Sequence, residues 1–189
     1  MYPGAALTAS KSAQLVVRSC RFVQLGGNAL LLSNYNRFAN ISRNEFAWLG
    51  SNAICLVGRS ELIDGTHGTQ PRHTTIDQNL IRENGIVVKQ SSAIFQAVTA
   101  QTTITNNILF NGPRAGINFN DEFGGDNLVQ GNLGFNQVRE TGDHGVFNSW
   151  NRTPFLTRVG DSTHTSVFTA VNRITRNFFI SNYASNWPI

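Results

Sequence analysis

The chain has 189 residues, 40% of them hydrophobic, 10% aromatic and only 14% charged, with a formal net charge of +4. So little charge beside so many aromatics excludes a disordered chain and a coiled coil. No apolar stretch approaches the roughly 20 residues of a membrane-spanning helix, so membrane insertion is not expected.

The 13 Arg and 2 Lys are scattered along the chain. A nucleic-acid binder gathers such charge into a stripe, and no binding motif accompanies it, so no nucleic-acid partner is expected. Residues 1–10 lack a charged region followed by an apolar one, so no signal peptide is read there.

The 22 Asn are ordered by a repeat. An aliphatic-x-x-Asn-x-apolar pattern opens at Val17-Arg-Ser-Cys20-Arg-Phe22, with Cys in the Asn place. It returns at Ile41-Ser-Arg-Asn44-Glu-Phe46, Ile76-Asp-Gln-Asn79-Leu-Ile81 and Ile104-Thr-Asn-Asn107-Ile-Leu109. Val129-Gln-Gly-Asn132-Leu-Gly134 fits with Phe135 displaced by one, and Ile174-Thr-Arg-Asn177-Phe-Phe179 closes the series. The gaps of 24, 35, 28, 25 and 45 residues describe a unit of about 24 with three insertions.

A second apolar segment follows most anchors: Gly27-Asn28-Ala29-Leu30, Ser51-Asn52-Ala53-Ile54, Ser91-Ser92-Ala93-Ile94, Arg114-Ala115-Gly116-Ile117 and His144-Gly145-Val146-Phe147. No stretch repeats at three and four residues as a helix would. Short strands at this period predict an all-β parallel solenoid of about six coils. A β-sandwich would show hairpin spacing instead, and the Leu framework of a leucine-rich repeat is missing. The anchor Asn is expected to take the left-handed backbone conformation at each turn and to stack in a hydrogen-bonded ladder. Cys20 and Cys55 are out of phase, which predicts no disulfide and two small buried side chains.

Solenoids carry function on the segments that break their period. The first insertion, Gly58 to Thr75, holds His67 and His73, a weak zinc spacing. The second is Val138-Arg-Glu-Thr-Gly-Asp-His-Gly145, and the third, Asn151 to Ala170, reads as a cap or decoration. With anchors 107 and 132 as register, Arg114 and His144 fall on successive coils, the second loop being five residues longer. That register gathers Arg114, Asp121, Glu140, Asp143 and His144 as catalytic candidates, with Asn118, Asn148 and Trp150 as substrate-binding candidates.

Two chemistries suit these residues. A carboxylate pair, Asp121 with Glu140 or Asp143, serves as acid and base at a glycosidic bond. Alternatively His144 abstracts the proton beside a uronate carboxylate while Arg114 neutralises the enolate. Trp150 offers a face on which a sugar ring stacks. No metal and no other cofactor is expected, and Ca²⁺ is the one ion that the oxygen-rich run Asn118, Asn120, Asp121, Glu122 and Asp126 would take.

The Asn-anchored coils resemble the right-handed parallel β-helix repeat family, the pectate-lyase-like superfamily, from Ala13 to Tyr183. Gly112-Pro-Arg-Ala-Gly-Ile117, Glu140-Thr-Gly-Asp-His-Gly145 with Phe147-Asn-Ser-Trp150, and Ser181-Asn-Tyr-Ala-Ser-Asn-Trp-Pro-Ile189 are similar to an uncharacterised algal, protist and marine microbial subgroup. The resemblance implies a carbohydrate-active protein, outside the cell or at its surface, that acts on an anionic polysaccharide as lyase, hydrolase or epimerase. The alternative it implies is a non-catalytic carbohydrate-binding or structural solenoid. Residues 1–189 read as one domain, and the subgroup's continuation past Trp-Pro-Ile makes it a fragment lacking C-terminal coils and a cap. Uncapped ends would then favour self-association.

Overall fold

The computed structural model describes residues 4–61, 65, 67–121, 124–142, 144–151 and 171–180. Their strands form three parallel sheets, and the chain visits the sheets in turn, once per coil. The fold is a parallel β-solenoid of about six coils.

The first sheet stacks Ala5–Ala13, Asn28–Arg37, Ile54–Val57, Ile94–Ala97, Ile117–Phe119 and Phe147–Ser149, and the short strand Pro71–Arg72 joins the far end of Asn28–Arg37. The second stacks Val16–Arg18, Asn40–Ser42, Thr75–Asp77, Thr103–Thr105, Leu128–Gln130 and Arg173–Thr175. The third stacks Arg21–Leu25, Glu45–Leu49, Leu80–Arg82, Ile108–Phe110, Leu133–Phe135 and Phe178–Ile180.

Most strands in the second and third sheets are three residues long because each coil needs only one inward side chain per side. In the second sheet that residue is aliphatic in every coil: Val17, Ile41, Ile76, Ile104, Val129 and Ile174 are in register. All but the last are buried, and each fully buried Ile contributes about 1.5–3 kcal/mol. Phe22 and Phe46 stack at 5.0 Å in the third sheet. There the inward position passes to Gly134, so Phe135 is not a displaced core residue as its spacing suggested. A side chain at 134 would run into Val146 and Phe179, and Phe135 stacks instead on Phe110, with centroids 4.9 Å apart.

The anchor Asn residues form a continuous ladder. The backbone and side-chain amides of Asn44 both donate to Asn79 Oδ1 at 3.0 Å. Asn79 donates likewise to Asn107, Asn107 to Asn132, and Asn132 to Asn177. Each Nδ2 also donates to an aliphatic residue's carbonyl, as Asn107 does to Ile76 at 3.0 Å. The left-handed conformation, however, belongs to the residue before each anchor: Ser19, Arg43, Gln78, Asn106, Gly131 and Arg176 have φ of 54–68°. The anchor must aim its amide inward, so its neighbour makes the reversal.

A second, shorter ladder runs the other way. Asn52 Nδ2 donates back to Asn28 Oδ1 at 2.8 Å, and Ser92 N donates back to Asn52 Oδ1 at 2.7 Å. Both cysteines are free thiols, but only Cys55 is buried. Cys20, in the first coil, is exposed.

Candidate functional site

Alternation along the first sheet turns Ile94, Ile117 and Phe147 inward and Phe95, Asn118 and Asn148 outward. Parallel register then places Phe95, Asn118 and Asn148 in one column on three successive coils, about 4.8 Å per coil. Asn148 Nδ2 donates to Asn118 Oδ1 at 2.8 Å, which fixes both amides. This column is the floor of a cleft.

One rim is built by the residues that enter these strands. Gln90, Arg114 and His144 stand before Ile94, Ile117 and Phe147 respectively. Arg114 Nη1 donates to Gln90 Oε1, and Arg114 Nη2 lies 2.8 Å from His144 Nε2. A guanidinium only donates, so His144 Nε2 is the acceptor in this contact. Arg114 Nε also donates to His144 Nδ1, at a longer 3.4 Å.

The opposite rim is Asn120 and Trp150, which follow the strands and are held by backbone bonds to Gln96 and Phe119. Floor and rims enclose about 360 Å³, and Trp150 is 59% exposed, so its ring is available to a ligand. The described lining is one guanidinium, one imidazole, four amides and two aromatic rings.

The structure thus brings together Arg114, His144, Asn118, Asn148 and Trp150. It turns Glu140 elsewhere. Residues 138–140 donate their N–H groups to the carbonyls of Arg114, Gly112 and Pro113, and Glu140 Oε1 then pairs with Lys89 Nζ at 2.9 Å. The carbonyl of Asp121 accepts from Val98 N, and its side chain is not part of the cleft lining. Asp143 lies outside the described residues, as do Glu122, residues 152–170 of the third insertion and residues 181–189. The proposed carboxylate pair of Asp121 and Glu140 is therefore not assembled in this cleft.

No family model, curated protein or solved structure matches the chain.

Three lining residues were not foreseen as groups for a sugar ligand: Gln90, Phe95 and Asn120, the last read only as an oxygen ligand for Ca²⁺. A shift of one coil would have found the first two, since Gln90 precedes Arg114 by 24 residues and Phe95 precedes Asn118 by 23. Outside the cleft, His73 stacks on Phe38 at 4.9 Å. Among the described residues no three His, Cys, Asp or Glu side chains gather as a metal site. Cys55, in the same outward column as Phe95, is fully covered, and burial pushes its thiol up to about 12.

Proposed function

We propose that this protein binds an anionic polysaccharide along the cleft between Gln90 and Trp150, as a pectate-lyase-like carbohydrate-binding solenoid outside the cell or at its surface. The observation that carries this reading is the composition of the cleft: a cation, an aromatic platform and four amides, with no carboxylate among the described lining residues. Arg114 supplies the charge for a uronate carboxylate or a sulfate, and a guanidinium can meet either with paired N–H donors. The amides serve ring hydroxyls, and Trp150 stacks on a sugar face.

The contact between Arg114 and His144 favours β-elimination as the second reading, over hydrolysis by two carboxylates. In that step Arg114 shifts from His144 Nε2 to the uronate carboxylate, and the freed Nε2 takes the proton beside that carboxylate. The electron pair forms the new C=C bond, the glycosidic C–O bond breaks, and the leaving oxygen takes a proton from water. Arg114 offsets the charge that develops on the carboxylate.

The test is titration of the purified protein with uronate-containing and sulfated oligosaccharides, followed by calorimetry and ultraviolet absorbance. Binding without product is the expected result, with Arg114→Ala weakening it about 10–100-fold. Absorbance from an unsaturated product, lost in His144→Ala, would establish elimination. Failure to bind any member of the panel would sink both readings.

A further inference from the structure

The corner between the first and second sheets hides an unusual amount of unpaired polarity. Among the described residues eleven buried side-chain nitrogen or oxygen atoms lack a hydrogen-bond partner. Seven of them belong to Gln70, Arg72, Thr74, Gln96, Thr99 and Thr102. All six residues are buried, and Gln70, Thr74, Gln96, Thr99 and Thr102 are 0% exposed.

Topology puts Arg72, Thr74 and Thr102 together, and Gln70 crowds Gly58 beside Val98, the residue before Thr99. Arg72 bridges to Ala100, and the pairing of Thr75 with Thr103 sets Thr74 beside Thr102 on the next coil. Gln96 points inward in the column of Leu32, Leu56 and Phe119, with apolar partners on the two adjacent coils, and both atoms of its amide are unpaired. Left dry, each such atom forfeits the hydrogen bonds it makes in water, and native interiors tolerate few of them.

The chemistry of the seven atoms selects the guest. Arg72 Nη1 and Gln96 Nε2 only donate, Gln70 Oε1 and Gln96 Oε1 only accept, and the three threonine hydroxyls do either. An anion would leave the carbonyl oxygens unserved, and a cation would leave the N–H groups unserved. Water answers both, and buried water characteristically makes two to four such bonds.

We propose that this corner is a binding site for ordered internal water, shared by the coil of Gln70 to Thr74 and the coil of Gln96 to Thr102. Gln70 extends the site to the first insertion, because its Nε2 donates to Gly65 O at 3.2 Å. The bound water therefore ties Gly65, through Gln70, to the solenoid interior. The assignment is independent of the cleft and of what the cleft binds.

The direct test is magnetisation transfer from water to the methyl protons of Thr74, Thr99 and Thr102 in the unmodified protein. The expected result is cross-peaks whose sign reports residence longer than rotational tumbling, and their absence overturns the proposal. An isosteric change gives a second readout. Thr99→Val removes an anchor from a hydrated site and is expected to lower Tm by about 2–4 °C, whereas in a dry corner it deletes an unpaired hydroxyl and raises Tm. A Tm that rises with chloride or potassium at fixed ionic strength, and ceases to do so in Gln96→Leu, would assign the site to an ion and overturn water.

Discussion

At the corner between the second and third sheets, five successive coils place Asn inward, at 44, 79, 107, 132 and 177. At the corner between the first and second sheets the equivalent position runs Leu15, Ala39, Thr74, Thr102, Asn127 and Asn172. The first corner keeps one residue type because each side chain completes the backbone of the coil beside it. At the second corner the interior side chain drifts from apolar to hydroxyl to amide. Its last coils show what Asn does there: Thr102 N donates to Asn127 Oδ1, and Asn127 Nδ2 donates to Asn172 Oδ1 at 2.8 Å. A repeat is rigid in sequence where a side chain closes the main chain, and free where it merely fills space.

The largest effect expected from breaking this contrast comes from Asn107→Ala. It removes the acceptor of two Asn79 N–H groups and the donors to Ile76 O and Asn132 Oδ1. Urea unfolding should show a loss of about 3–5 kcal/mol. A loss under about 1 kcal/mol would mean that the ladder is incidental to stability.

Thr102→Asn sharpens the comparison in the opposite direction. Its new amide adds a side-chain donor to Asn127 Oδ1 beside the backbone N–H that already donates there, and a gain of about 1 kcal/mol, or about 2–4 °C in Tm, is expected. No gain would show that this corner cannot be rebuilt one residue at a time.

The smallest effect is the pH dependence of the second corner. Burial, then the charges of Arg72 and Arg37, hold the His73 imidazole below its ordinary value of 6.5. The unfolded chain therefore binds the proton first, and stability is lost as pH falls from 6.5 through the lower folded value. Thermal melts between pH 7 and 5 should show this decline, and His73→Phe, which keeps a ring against Phe38, should flatten it. An unchanged slope in that variant would assign the decline to other groups.

Much of the fold was legible because the ladder must recur: anchors 44, 79, 107, 132 and 177 were found from sequence and are bonded to one another in that order. The backbone reversal was misplaced by one residue, since composition shows that Asn tolerates it but not that its amide is needed inside. Phe135 was misread because the space at Gly134 is taken by Val146 and Phe179, which arrive from distant segments. Cys20 was expected to be buried, but it is exposed, and its backbone N–H reaches Asn44 Oδ1 on the following coil. In the cleft, Arg114 and His144 were visible as the residues three before Ile117 and Phe147 in the second apolar segments of neighbouring coils. The direction of Glu140 was not visible, because three backbone bonds to residues 112–114 set it and backbone bonds leave no mark on residue type.

The two asparagine ladders pass hydrogen bonds in opposite directions along the solenoid axis. Each is a row of aligned amide dipoles, in which every added member polarises those before it. Aligned alone, the five-membered row would leave partial negative charge at one end of the molecule and partial positive charge at the other. The counter-running row of Asn28, Asn52 and Ser92 opposes that field where the two lie alongside, in the early coils. Beyond Ser92 the same backward direction returns in single steps, from Asn136 Nδ2 to Asn111 Oδ1 and from Asn148 Nδ2 to Asn118 Oδ1, so opposition to the long row is spread along the molecule.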